Sequence, residues 1–376
     1  MGAAPRRVVL AANSSWNIVN FRAGLIRALK REGYEPVVVA PLDEAAESRM
    51  GELGVERIVV GIERSGLNPI ADLRLLGEYR RILKRLRPAA LLGFTIKPNI
   101  YGCIAARSLG IAAIANISGL GTVFIKRGLL LAFVTRLYRL GLSRAAVVFF
   151  QNPDDRALFI ERTMVRPEQA RLLPGSGVDL DRFAPAPQPL GPPTFLLIAR
   201  LLGDKGVREF VEAARSLRAE LPDARFQLLG PIDEGNRTAI ARAEIDAWVG
   251  QGVVDYLGET DDVRPFVAAA SAVVLPSYRE GLPRSLLEAA AMARPLITTD
   301  VPGCREVVED GINGFLCEVR DSESLAKAMR KLAEMPVSKR SAMGDAGRRK
   351  VQEQFSETVV IRAYLDALDT LAGERS

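Results

Sequence analysis

Residues 276–300 read PSYREGLPRSLLEAAAMARPLITTD and combine a strand end, a Gly-Pro loop and a short helix, with two carboxylates, Glu280 and Glu288, eight residues apart. The run just before them, AVVLP at 272–276, is unbroken in its apolarity and predicts a short buried strand. Ser285 is the expected N-cap of an alanine-rich helix running through Ala293. Glu280 then sits on a loop at a strand's carboxyl end, and Glu288 on the helix that follows. In an open parallel sheet, loops at that end face the ligand crevice. Backbone N–H groups of Gly281, Leu282 and Arg284 near a helix N-terminus favour an anionic or hydroxyl-rich ligand, whereas Pro283 offers none. A carboxylate accepts hydrogen bonds from two vicinal hydroxyls, so two such acids suit two polyols. Among 45 acidic residues the bare spacing carries little weight. Its weight comes from spanning strand, loop and helix instead of one solvated helix face.

Outward from this stretch the chain alternates short β-rich runs with helical periodicity, which predicts an α/β fold of doubly wound parallel sheets. In the first half the predicted strands are 8–12, 36–40, 57–61, 90–94, 112–115, 146–150 and 171–173, with helices near 21–31, 72–86 and 100–108. Residues 184–193, APAPQPLGPP, carry five prolines and are read as the linker. Beyond them come strands 195–199, 226–229, 253–257, 272–276 and 296–299, helices 207–221 and 238–249, and a helical tail. The expected division is a first domain over 1–183, the linker, a second domain over 194–354, and a C-terminal helix over 355–376 that returns to the first. Two such halves are expected to leave a cleft between them.

Composition narrows the chemistry. The chain has no histidine, which removes Ser-His-Asp and Cys-His nucleophiles, histidine general bases and most transition-metal sites. Three cysteines, Cys103, Cys304 and Cys317, without CxxC spacing point to a reducing compartment and no structural zinc. The first apolar run is too short for a signal peptide, so a cytoplasmic protein is expected. Charge is uneven: residues 1–190 carry 27 Lys+Arg against 16 Asp+Glu, and residues 79–153 hold twelve basic residues and no acid. Such a half suits an anionic partner, a phosphate-bearing lipid or a membrane surface. Residues 129–135, flanked by Phe124, Ile125, Lys126 and Arg127, include Leu130 and Phe133 and read as an in-plane membrane-surface helix, far short of a bilayer span. No nucleic-acid partner is expected.

In the second half, Arg200 ends a strand and Lys205 follows within ARLLGDKG. Two cations beside a helix N-terminus form a site for a diphosphate that needs no metal. Gly230 and Gly258 end two neighbouring strands, so backbone around Tyr256 and Leu257 is a candidate for holding a base. Asp179 and Asp181 spell a DxD, but just before the linker, where a metal site is not expected. Gly119-Leu120-Gly121 lacks the third glycine and acidic partner of a dinucleotide fingerprint.

The segments RLLGDKG and SYREGLPRSLLEAAAMARPLITTDVPGCREVVEDGINGFL, with GSGVDLDRF before the linker, resemble the donor half of retaining GT-B glycosyltransferases of family four. NSSWNIVNFR, FTIKPNIYG, ISGLGTVFI and FFQNPDD in the first half resemble the branch that extends glycans on polyprenyl-diphosphate carriers, which includes N-acetylgalactosaminyltransferases. The resemblance implies two Rossmann-like domains facing across a cleft and a UDP-sugar donor. It also implies a polyprenyl-diphosphate-linked sugar acceptor, no metal or other cofactor, and a place on the inner face of the cell membrane. Carried over by motif, Arg200 and Lys205 neutralise the donor diphosphate and Glu288 binds the ribose. Glu280, with the backbone of 281–284, binds the transferred sugar. Asn13 and Gly119 approach the donor, whereas Ser14, Ser15, Lys97, Asn116 and Gly121 belong to the acceptor side. Many relatives place a histidine in the first half near the sugar; here Asn116, Ser118 or Asn152 would fill that space. Two other readings stand beside this one, a GT-B sugar-nucleotide epimerase and a nucleotide-sugar-binding module without catalysis.

Overall fold

A computed structural model describes residues 6–62, 68–119 and 129–373, with Leu129 and Leu130 described by backbone alone. Gly121, Phe124, Ile125, Lys126 and Arg127 therefore lie outside the described residues, as does the side chain of Leu130. The chain forms two compact units, Met1–Ser176 with Thr358–Ser376, and Gly177–Glu357.

The first unit runs β1 (Arg6–Ala11), α1 (Ser15–Phe21), α2 (Ala23–Arg31), β2 (Tyr34–Ala40), α3 (Glu47–Glu52), β3 (Glu56–Val59) and α4 (Pro69–Leu86). It continues with β4 (Ala90–Phe94), α5 (Cys103–Ser108), β5 (Ala112–Ile117), α6 (Leu129–Leu142), β6 (Val147–Phe150), α7 (Pro153–Glu161) and β7 (Ala170–Leu172). The seven strands are parallel, in the order β3-β2-β1-β4-β5-β6-β7. Strands covered on both faces have no reason to alternate polar with apolar, which is why their runs are continuous. Alternate residues of β1 serve the two faces, Val9 and Ala11 one core cluster, Val8 and Leu10 the other. The expected helix near 21–31 is α2, preceded by the separate α1 that ends at Phe21, and the expected helix at 100–108 opens with a π turn at Pro98–Gly102.

The second unit runs β8 (Thr194–Ile198), α8 (Val207–Leu217), β9 (Arg225–Leu229), α9 (Arg242–Gly250), β10 (Asp255–Tyr256), α10 (Arg264–Ala269) and β11 (Ala272–Leu275). It ends with α11 (Arg284–Ala291), β12 (Leu296–Thr299), β13 (Gly314–Cys317), α12 (Ser322–Ala333) and α13 (Val337–Gln354). Its parallel sheet has the order β10-β9-β8-β11-β12-β13. The helix expected at 238–249 starts only at Arg242, because 231–240 pairs with the segment after β8: Leu201 N–H donates to Pro231 O, and Ile240 N–H to Leu201 O. A further helix, α14 (Glu357–Gly373), packs in the first unit, its Val360, Tyr364 and Leu368 joining the core beside β1, β4 and β6.

The proline-rich stretch read as the linker belongs to the second unit. Arg294, fully buried, donates to the carbonyls of Ala186 (3.0 Å) and Pro187 (2.7 Å) and to Gln188 Oε1 (3.3 Å). Proline stops regular structure, but its carbonyl still accepts hydrogen bonds, and one buried guanidinium collects several of them. The boundaries between the units fall instead at 176/177 and 357/358.

Candidate functional site

The strand order of the second sheet reverses between β8 and β11, whose Phe195 and Leu196 pair with Ala272 and Val273. Such a switch point, at the carboxyl ends of its strands, is where open α/β sheets bind ligands. Arg200 and Lys205 follow β8, and Glu280 follows β11. Lys205 Nζ lies 2.5 Å from Glu280 Oε1, both side chains being largely buried.

The two loops that carry this pair are bolted together by backbone. Asp204 O accepts from Tyr278 N–H at 2.9 Å and from Ser277 Oγ at 3.1 Å, and Asp204 Oδ1 accepts from Thr238 Oγ1 at 3.2 Å. Gly206, at φ +72°, lies so close to Pro276 that a Cβ there would overlap the Pro276 carbonyl. Tyr278 donates to Glu209 Oε1 of α8 at 2.5 Å, and burial pushes its phenol up to about 12, so it stays a donor at neutral pH. On the other flank Glu280 N–H donates to Pro302 O at 3.1 Å, and Gly303 packs against the Glu280 and Gly281 carbonyls. Asp204, Tyr278 and Gly303 were not singled out by sequence reasoning, although each lies in or beside a quoted motif. Cys304 is buried beneath the loop, and burial pushes its thiol up to about 12, which leaves it unreactive.

Glu288 sits one turn into α11 and accepts from Arg284 Nε at 2.6 Å. Burial pushes its carboxyl pKa up, and the positive charges of Arg284 and Arg182 oppose that rise. The helix starts two residues earlier than expected: Pro283 occupies the N-cap without a side-chain hydrogen bond, and Ser285 lies inside the helix. Arg200 reaches outward to Asp233 Oδ2 at 2.9 Å. At the third candidate position, Gly230 N–H donates to Gly258 O, Leu257 N–H to Leu228 O, and Tyr256 Oη to Gly230 O at 3.1 Å, so much of that backbone is already engaged.

Candidates in the first unit are mostly committed to its architecture. Asn13 N–H donates to Thr95 Oγ1 across the switch point of that sheet, between β1 and β4. Ser14 caps α1 by accepting from Asn17 N–H, and Ser15, buried, donates to Pro41 O at 2.6 Å. Lys97, read as a candidate on the acceptor side, is held by Asp72 at 2.8 Å, and Tyr101 donates to the same carboxylate. Asn116 is buried and donates to Tyr364 Oη of α14 at 2.7 Å, while Asn152 caps α7. Gly119 has a left-handed φ of +127°. The helix α6 buries Val134, Tyr138 and Leu142 in the core and leaves Phe133, Arg136, Arg139 and Leu140 outward. Asp179 Oδ1 accepts from the N–H groups of Asp181 and Arg182, a local turn.

Comparison with known proteins places both units. Residues 18–176 match the model described as a glycosyl transferase 4-like domain, and residues 192–335 the one described as glycosyl transferases group 1. The chain is 28% identical over 96% of its length, and 98% of the relative's, to N,N'-diacetylbacillosaminyl-diphospho-undecaprenol alpha-1,3-N-acetylgalactosaminyltransferase of Campylobacter jejuni. It is 26% identical, over 69% of this chain and 70% of the relative, to UDP-Gal:alpha-D-GlcNAc-diphosphoundecaprenol alpha-1,3-galactosyltransferase of Escherichia coli. Among solved structures, a sucrose-phosphate synthase from Thermosynechococcus elongatus superposes with a TM-score of 0.81 at 18% identity, covering 98% of this chain and 100% of that one. HepE of Anabaena in complex with UDP-glucose superposes with a TM-score of 0.80 at 17% identity, covering 97% and 99%.

Proposed function

The chain belongs to the family-four glycosyltransferases of GT-B fold, and from that premise we propose that it moves a hexose or N-acetylhexosamine from a UDP-sugar to a polyprenyl-diphosphate-linked sugar, with retention at the anomeric carbon. The observation that carries the reading is the meeting of Lys205 with Glu280 at the β8/β11 switch point, with Glu288 on α11, the helix that follows the Glu280 loop. The names of both relatives, which act on diphospho-undecaprenol-linked sugars, support the acceptor class.

In this reading the donor diphosphate lies against Arg200 and Lys205, the ribose against Glu288, and the sugar hydroxyls against Glu280 and the backbone of 281–284. The bond between the anomeric carbon and the diphosphate oxygen breaks, and UDP departs with the bonding pair. Lys205 and Arg200 offset the charge that develops on the leaving phosphate, where preorganised cations lower the barrier most. The acceptor hydroxyl attacks from the same face, and its proton passes to the departing phosphate oxygen. No protein base is needed, which suits a chain without histidine. The protein would act at the inner face of the cell membrane, with the basic first unit against anionic lipid and no metal cofactor.

The test is incubation with a panel of nucleotide sugars and a short-chain polyprenyl-diphosphate-linked acceptor, scored by mass spectrometry and anomeric NMR. Transfer from a UDP-sugar with retained configuration is expected. Inverted product, or turnover that is unchanged when Arg200 and Lys205 are both replaced by alanine, would overturn the reading.

A further inference from the structure

The ion pair within α11 is built against the interests of the helix. Arg284 stands at the first helical position, where the macrodipole disfavours a cation, and the first turn holds no acid. A cation four residues ahead of an acid is also the less favourable order for an i,i+4 pair. Both side chains are nonetheless mostly buried, 22% exposed for Arg284 and 14% for Glu288, with Nε and Oε1 2.6 Å apart. A helix selected for its own stability would carry the charges the other way round. The arrangement therefore serves the carboxylate.

We propose that Arg284 is a positioning residue for nucleotide recognition: its guanidinium fixes the Glu288 carboxylate in its ionised form, so that the acid can accept hydrogen bonds from the ribose hydroxyls. The proposal rests on the assignment of Glu288 to the ribose. A buried carboxylate left alone takes up a proton, because desolvation penalises its charged form. Burial does push Glu288 up, and Arg284 is the largest opposing influence. Two further groups bear on it from other elements, Arg182 of the segment after the unit boundary, which also opposes the rise, and Asp262 before α10, which adds to it. Asp262 is itself held by Arg264 at 2.7 Å. Hydrogen bonds to an ionised acceptor are roughly twice as strong as neutral ones, so losing the charge weakens the hold on a diol.

The test is calorimetric titration of the full chain with UDP and with 2'-deoxy-UDP at several pH values between 6 and 8.5. Wild type should prefer UDP by about tenfold, the worth of one charge-assisted hydrogen bond, with little pH dependence. Arg284→Met should lose that preference at pH 6 and regain part of it at pH 8.5, while its affinity for 2'-deoxy-UDP, which keeps only the 3'-hydroxyl, falls less than its affinity for UDP. Arg284→Gln, which keeps a donor but no charge, should behave like the methionine variant, and Arg284→Lys should restore the flat profile. Equal loss of affinity for both nucleotides at every pH would make Arg284 a diphosphate cation and overturn the proposal. An unchanged preference in Arg284→Met and Arg284→Gln would reduce the pair to helix structure. Failure of the underlying assignment looks different: Glu288→Gln would then keep full preference for UDP whatever happens at position 284.

Discussion

Lys205 Nζ and Glu280 Oε1 lie 2.5 Å apart, so the cation after β8 is neutralised by the acid after β11 before any ligand arrives. On the proposed function, a bound diphosphate would share Lys205 with Glu280. Glu280→Ala is expected to lower kcat by on the order of 10²-fold while the fold survives, measured by steady-state kinetics and circular dichroism. Full activity would remove Glu280 from the site.

The same pair predicts a thermodynamic signature. Removing one partner leaves the other largely buried without its counter-charge, whereas removing both relieves the cost. Lys205→Met and Glu280→Gln should each lower Tm by more than the double variant does relative to additivity, a coupling of about 1 kcal/mol or more in a denaturation cycle. Additive effects would show that the two groups do not depend on each other.

Gly303 is the support under the Glu280 loop. At φ +87°, a Cβ there would stand 2.6 Å from both the Glu280 and the Gly281 carbonyl oxygens, and neither backbone can move without dragging the acid. Gly303→Ala should raise the donor KM and cut kcat by about tenfold or more, since an ångström of misplacement at a site costs that much. A variant with wild-type kinetics would mean that the loop position is not set by this contact.

What was legible in the sequence follows from what is local. Continuous apolar runs announced the central parallel strands, because burial on both faces leaves its mark on every residue of strands such as β4, β11 and β12. The cations and the first acid of the switch point could be placed because they stand shortly beyond such runs, Arg200 and Lys205 beyond β8 and Glu280 beyond β11. Illegible were partnerships made through space. Nothing near Lys97 in sequence says that Asp72, on α4, will hold it at 2.8 Å, and nothing in the proline-rich stretch says that Arg294 will bind its carbonyls. Pro283, with an extended backbone, takes the N-cap position ahead of Ser285 although it brings no side-chain acceptor, a placement that side-chain capping rules do not foresee.

Arg294 makes a stability prediction. Besides the carbonyls of Ala186 and Pro187 it serves those of Val267 and Ala268, each at 3.0 Å, so one side chain satisfies acceptors from the stretch before β8 and from α10. Burial pulls its pKa down to about 10, which still leaves it charged at neutral pH. Arg294→Met would strand several buried carbonyls at once and should cost at least ~3 kcal/mol, read as a fall in the urea midpoint. Lysine cannot reach the same acceptors with one planar fork, so Arg294→Lys should recover only part of the loss.

Residues 79–153 contain twelve basic residues and no acid, and on α6 Phe133 and Leu140 stand outward beside Arg136 and Arg139. An apolar contact framed by cations suits the surface of an anionic bilayer, where each basic residue near the headgroups contributes roughly 1 kcal/mol. Flotation with vesicles rich in anionic lipid should therefore carry the protein at low salt and lose it as ionic strength rises, since screening shortens the reach of surface charge. Lys126→Glu with Arg127→Glu should weaken flotation, and Phe133→Ser should weaken it further at a given salt concentration. Vesicles of neutral lipid should leave the protein unbound. Equal binding to neutral and anionic vesicles would show that the excess of basic residues is not what draws this unit to a lipid surface.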